Sequence, residues 1–192
     1  MSEFREITIG GLLKETASKY PDNRALVYPE FGISQSYREF SASCVSVAKG
    51  FMALGIKKGD HVSVWTTNLP QWVYMQFGLG MIGAVLVTVN TNYKSHELEY
   101  ILRQSDSTTL VLMDKYRDTS YFDTTNEVVP ELKTQAPGKT ASAKLPSLKN
   151  VVYIGDRSST PGMFAVDEAV KMGAGVSDAP LEERIGSCGS HD

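Results

Sequence analysis

The chain has 192 residues, enough for one ordinary domain or a large subdomain, and a chain of that length buries about 70% of its unfolded surface without disulfides or metals. Apolar residues make up 42% and charged residues 21%, which excludes a disordered chain, and the net charge of −3 gives no reason to expect nucleic acid or an anionic membrane as a partner. The opening MSEFREITIG lacks an apolar signal core and the longest apolar run, Met81 to Val89, is too short to span a bilayer, so no transmembrane segment is expected and the cytoplasm is the expected location.

In chain order, Thr8 to Tyr20 carries Leu12, Leu13, Thr16, Ala17 and Tyr20 at helical spacing, and Pro21 stops the helix. Arg24 to Tyr28 and Ile33 to Tyr37 read as short strands of a hairpin around Pro29-Glu30-Phe31-Gly32. Tyr37, Phe40, Cys44, Val47, Ala48, Phe51 and Leu54 form one stripe of a long helix, followed by Gly55 where a left-handed cap wants glycine. Lys57 to Asp60 is a solvated turn into a β-branched strand, His61 to Thr66.

Thr67 or Asn68 can cap the next helix, and Pro70 suits its first turn. That helix presents Trp72, Val73, Gln76, Phe77 and Gly80 on one face and ends at Gly83. Ala84 to Val89 is continuously apolar, as a strand covered on both faces would be. Ser95 then caps a helix, Glu97 to Gln104, with Leu98, Ile101 and Leu102 inward, and Thr109 to Met113 is another apolar strand. A weaker helix is expected over Asp123 to Lys133, a flexible loop over Thr134 to Leu148, a strand over Asn150 to Ile154, and a short helix over Phe164 to Met172 before the tail GSCGSHD. Strands alternating with helices of this length predict an α/β fold, a doubly wound and mainly parallel sheet, with the N-terminal β-hairpin added at an edge. Residues 1–155 read as the α/β subdomain and 156–192 as loop, short helix and tail.

Chemistry-bearing motifs are scarce. Gly78-Leu79-Gly80-Met81-Ile82-Gly83 matches G-x-G-x-x-G, but it closes a helix, where the dipole repels phosphate, instead of opening one. Its glycines are read as close packing of helix on sheet, so Gly80→Val is expected to cost about 2 kcal/mol or more. No Gly-x4-Gly-Lys-Ser/Thr and no Gly-x-Ser-x-Gly occurs. Gly155 to Gly162 is small and polar but lacks a lysine for a phosphate. Cys44 is expected to be buried and Cys188 exposed, and His61, His96 and His191 share no metal-ligand spacing. No catalytic, cofactor-binding or metal residue is therefore assigned. Ligands of open parallel sheets sit at the carboxyl ends of the strands. The loops there hold Thr66-Thr67-Asn68, Asn90-Thr91-Asn92-Tyr93 and Asp114-Lys115, and Asn90, Asn92 and Tyr93 are the candidate substrate contacts.

The segments TIGGLLKETASKYPDNRALVY, SYREFSASCVSVAKGFMALGIKKGDHVSVWTTNLPQWVYMQFGLGMIGAVLVTVNTNYKSHELEYILRQSD and TLVLMDKYRDTSY resemble the N-terminal part of the AMP-forming acyl-CoA ligases of the adenylate-forming superfamily. The likeness runs through residues 8 to 155, and NTNYKSHELEY is most similar to the fatty-acyl and medium-chain branch. The resemblance implies activation of a carboxylate through an acyl-adenylate, with ATP, Mg²⁺ and coenzyme A serving the full-length enzyme. It also implies that the triphosphate loop, the adenine, ribose and metal motifs and a mobile-domain lysine lie beyond Asp192, so none is carried onto this chain. The expected partners are the remainder of the ligase and, through dimer contacts, a second copy. The expectation is thus a scaffold without turnover of its own. The alternative is a non-catalytic interaction or regulatory module derived from that family.

Overall fold

The computed structural model describes residues 5–191. Helix α1 (Ile9–Lys19) starts where the Thr8 hydroxyl accepts the amide of Gly11. Strands β1 (Arg24–Tyr28) and β2 (Ile33–Ser36) pair antiparallel across a 3-10 turn at Pro29–Phe31, with Gly32 left-handed at φ 65°. Ser36 and Glu39 form a capping box that opens α2 (Tyr37–Ala53). Gly55, at φ 87°, then turns the chain toward β3 (His61–Trp65). After β3 come α3 (Pro70–Met81), β4 (Val85–Thr88), α4 (Ser95–Gln104) and β5 (Thr109–Met113). A small antiparallel pair, β6 (Lys115–Tyr116) and β7 (Thr119–Ser120), leads into α5 (Tyr121–Val128). The chain then forms β8 (Asn150–Ile154), β9 (Phe164–Ala165), α6 (Val166–Met172) and α7 (Asp178–Gly186).

The main sheet has the order β4-β3-β5-β8-β9, and every pairing in it is parallel. Alternation along the strands sends side chains to two cores. On one face Val62, Val64, Val111 and Val152 meet Phe40, Val47 and Phe51 of α2 and Met75 and Leu79 of α3. On the other, Trp65, Leu110, Leu112, Val151 and Tyr153 meet Leu98 and Leu102 of α4 and Tyr121 and Val128 of α5. Helices on both faces of a parallel sheet make the α/β, doubly wound architecture that the sequence pattern predicts, but the N-terminal antiparallel hairpin is a separate two-stranded sheet packed on α2 and is not added at the edge of the main sheet.

The middle of the α2 stripe, Phe40, Cys44, Val47, Ala48 and Phe51, is buried as read, while its ends, Tyr37 and Leu54, are half-buried; burial pushes the Cys44 thiol up to about 12. The glycines of α3 act differently from the expectation. A Cβ on Gly78 would stand 2.8 Å from the Cys44 carbonyl and 2.9 Å from Val47, so the tight contact is with α2, not with the sheet. A Cβ on Gly80 would find only Ile9, at 3.7 Å, an ordinary contact. The buried face of α3 is accordingly Met75, Gly78 and Leu79, with Trp72, Val73 and Phe77 half-buried beside it. A second tight approach joins α2 to α6, because a Cβ on Gly50 would meet the Ala169 carbonyl at 2.6 Å.

Other elements also depart from the sequence reading. The apolar β4 is an edge strand, not one covered on both faces, and Val85 is 41% exposed. Pro130 ends α5 early, and the predicted helix to Lys133 becomes a separate 3-10 turn. Residues 134–148 have no regular structure, but Leu145 and Leu148 are buried in the second core and pin the segment. Phe164 and Ala165 extend the sheet where a helix start was expected. Helix α7, which sequence periodicity does not signal, buries Leu181 and holds on through Lys14–Glu182 and Lys49–Asp178 ion pairs. Cys188 is half-buried, its thiol 3.7 Å from the Met81 carbonyl, and not exposed.

Candidate functional site at the carboxyl ends of the strands

The carboxyl ends of β3, β4, β5 and β8 deliver four loops to one end of the sheet. The chain runs from β3 to β4 on one side and then crosses to β5 on the other, so the strand order reverses between β3 and β5. That crevice is the position where open α/β sheets receive ligands. Here it is spanned by Met113, whose sulfur receives the Thr67 amide at 3.3 Å. Asn68 is exposed and does not cap α3, since Leu69 holds the cap position without a side-chain bond and Pro70 begins the helix.

The 90–93 loop after β4 is fixed from behind. Asn90 accepts the Asn92 amide on its side-chain oxygen at 2.9 Å, a local turn, and its carbonyl accepts the Trp65 indole N–H at 3.0 Å. The Tyr121 hydroxyl donates to the next carbonyl, Thr91, at 2.7 Å. Trp65 and Tyr121 stack at 3.8 Å between ring centroids and are fully buried, so a rigid aromatic pair holds two consecutive carbonyls of the loop. Burial also pushes the Tyr121 phenol up to about 12, which keeps it a donor across the physiological range. Asn90 and Asn92 remain exposed, while Tyr93 is half-buried against the second core. Ser95 does not cap α4 with its side chain. Its hydroxyl donates to Glu127, and the Lys94 amide donates to Glu97 instead.

Sequence reasoning overlooked the cluster after β5 and β8. The Asp114 carboxylate accepts from the Tyr153 hydroxyl at 2.9 Å and from Arg157, whose guanidinium lies 4.3 Å from the centre of the Phe122 ring. The Asp114 carbonyl accepts the amides of Tyr121 and Phe122, tying α5 to the sheet. The Arg157 hydrogen bond is the main cause holding Asp114 below the usual carboxylate range. Burial first, and then Asp114, push the Tyr153 phenol up to about 12. The sequence signal was an arginine in the loop after one strand and an aspartate after its neighbour, which becomes meaningful only once β5 and β8 are known to pair.

The Gly155 to Gly162 loop does not fit a nucleotide triphosphate. Its one cation, Arg157, is engaged by Asp114, and a Cβ at Gly155 would collide with the Tyr153 hydroxyl, so that side chain fills the approach. Among the described residues no group of three or more His, Cys, Asp or Glu is placed to hold a metal ion. An open depression of about 550 Å³ lies beside this loop, lined by Phe122, Asp123, Asn126, Glu127, Lys133 and Ser159, with mixed charge and no convergent donors for an anion. What the end of the sheet does present is a braced, hydrogen-bonded scaffold. Among the described residues no helix is long and apolar enough to cross a membrane.

Doubly wound geometry with helices on both faces and a braced carboxyl end define an α/β scaffold. The model of the AMP-binding enzyme family matches residues 13–172, and the chain belongs to that family. It is 48% identical over 187 residues to YngI of Bacillus subtilis (strain 168), a protein named as a proposed acyl-CoA synthetase, covering 97% of this chain and 34% of that protein. It is 33% identical to the mitochondrial medium-chain acyl-CoA ligase ACSF2 of Danio rerio, covering 92% of this chain and 29% of the relative. Among solved structures, the anthranilate CoA ligase AuaEII in complex with anthranoyl-AMP superposes with a TM-score of 0.69 at 23% identity, covering 86% of this chain and 28% of that one. The N-terminal domain of FACL13 from Mycobacterium tuberculosis gives 0.62 at 22%, covering 95% and 36%. The chain thus spans about a third of the length of the relatives it matches.

Proposed function

We propose that this chain is the N-terminal structural third of an AMP-forming ligase that converts a fatty or other carboxylic acid, through an acyl-adenylate, to its coenzyme A thioester. The observation that carries the reading is the pairing of two coverages: nearly all of this chain aligns with a curated relative of which it makes up only 34%. In the proposal ATP, Mg²⁺ and coenzyme A bind residues supplied by the remainder of the ligase. The 192 residues alone do not turn over, because adenylyl transfer depends on cations and amides aimed at the transferring phosphate, and the loops of this scaffold are occupied with each other. Asn90, Asn92 and Tyr93 are proposed to edge the acyl side of the cleft. The support is their place on an immobilised loop at the carboxyl end of β4. Residence in the reducing cytoplasm belongs to the same proposal, as both cysteines are free thiols. Residues 1–155 would be the subdomain proper, with 156–192 leading out of it.

Isothermal titration of the purified chain with Mg-ATP tests the division of labour. The expected result is no saturable heat at micromolar nucleotide. Micromolar binding would contradict it.

A further inference from the structure

A separate depression of about 320 Å³ lies where α2, α3 and α6 meet. That volume is at the small end of the range in which proteins hold small molecules. Its apolar lining is Val47 and Met75, both buried, with Val166 and Val170 half-buried beside them. An apolar body with few atoms would fit there, and the polar lining says what that body must carry.

The hydroxyls around the depression all point their protons elsewhere. The Tyr74 hydroxyl donates to Gln35 Oε1 at 3.1 Å, and the Gln35 amide donates to Ser43 Oγ at 3.0 Å. Ser43 in turn donates to the Glu39 carbonyl at 3.1 Å, and Ser46 donates to the Ala42 carbonyl at 3.0 Å. A hydroxyl has one proton and two lone pairs. Ser43, Ser46 and Tyr74 have thus used their protons within the protein and can only accept from a ligand. Asp167, at the exposed rim, adds a carboxylate to the same acceptor set. The donors of the lining are the Gln71 amide and the Lys171 ammonium.

Asp167 and Lys171 are four residues apart on α6 and so share a face. Neither side chain has a hydrogen bond or ion pair among the described residues. One opening therefore offers a free anion, a free cation and three hydroxyl acceptors around an apolar surface. A plain carboxylic acid would bring its charge toward Asp167 and the lone pairs. A purely apolar molecule would leave both charges unanswered. A small zwitterion with an apolar side chain satisfies all three parts, its ammonium on Asp167 and the hydroxyl oxygens and its carboxylate on Lys171 and Gln71.

We infer that the α2–α3–α6 depression binds a free α-amino acid with an apolar side chain. The inference goes beyond the ligase reading and does not depend on it, since none of its residues is assigned to the proposed cleft.

Isothermal titration of the full 192-residue chain with L-phenylalanine and L-leucine tests it. Two analogues accompany them: 3-phenylpropionate, which lacks the amine, and phenethylamine, which lacks the carboxylate. The expected result is saturable heat from at least one amino acid with a Kd below about 1 mM, and binding of each analogue weaker by about tenfold or more than that of phenylalanine. D167N and K171M should each weaken amino-acid binding by about tenfold or more. S46W, which fills the depression from its α2 side, should abolish binding. All three positions are exposed, so the melting temperature of the free chain should hold in each variant. Absence of saturable heat with both amino acids would overturn the site. Phenethylamine or 3-phenylpropionate binding as tightly as phenylalanine would overturn the zwitterion assignment. Unaltered binding by S46W would place the ligand elsewhere and overturn the inference as well.

Discussion

The centre of the sheet and its β4 side are made of the same kind of residue and end in opposite states. Strands β5 and β8, Thr-Leu-Val-Leu-Met and Asn-Val-Val-Tyr-Ile, are buried almost throughout, between α2 and α6 on one face and α4 and α5 on the other. Strand β4, Val-Leu-Val-Thr, is half open, as is the hairpin at the N-terminal end. Composition cannot account for that difference, so position in the assembly must. The centre is complete as folded here. The edge has the composition of an interior and the exposure of a surface.

Substitutions can break or sharpen this contrast. The largest effect is expected in the centre. Gly50→Val would drive a side chain into the Ala169 carbonyl and Val170 Cα, at 2.6 and 2.8 Å from the new Cβ, and backbone cannot swing aside as a side chain can. It should cost about 3 kcal/mol in urea unfolding. An unchanged midpoint would mean that α2 and α6 are not in contact.

A smaller effect belongs to the braced end of the sheet. Asp114→Asn keeps the shape and removes the charge that Tyr153 and Arg157 satisfy, at an expected cost of about 1 to 2 kcal/mol, reduced by the partial exposure of the pair. The sign with pH follows from the depressed carboxyl. Its contribution is fully present above the ordinary aspartate range, near pH 4, and fades as pH falls through the lower folded value. The wild-type advantage over the variant should therefore shrink below about pH 4. An advantage that stays constant down to about pH 2 would show that the charge is not what Asp114 contributes.

At the open side the effects should nearly vanish. Gly80→Ala meets only Ile9, at ordinary contact distance, and should be neutral or stabilising by up to about 1 kcal/mol through helix propensity. A loss of about 2 kcal/mol would restore the close helix-on-sheet packing that the glycine pattern first suggested.

How much could be read beforehand differs by element for physical reasons. Helix α2 was legible because one apolar stripe and the left-handed glycine that follows it are local signals, and the Ser36–Glu39 capping box that opens it came only with the structure. The β4 strand was legible as a strand and misread as covered, since an apolar run reports the environment a residue suits and not whether that environment is present. The β6–β7 pair, two residues per strand, is shorter than any periodicity can register. Asn90 and Asn92 were singled out in the sequence as candidate substrate contacts, and in the structure the Asn90 side chain makes a local turn by accepting the Asn92 amide. The brace behind them was not. The Trp65–Tyr121 stack joins the end of β3 to the start of α5, and the Asp114–Arg157 pair joins two strand ends. Both depend on the order in which strands neighbour each other, and local sequence does not contain that order.

The central claim is that this chain shapes a ligase without carrying its chemistry, and acid-dependent exchange of radiolabelled pyrophosphate into ATP addresses it most directly. The purified 192-residue chain, given Mg-ATP and a medium-chain fatty acid, is predicted to show no exchange above the rate without acid. Sustained exchange from a preparation free of other synthetases would contradict the account.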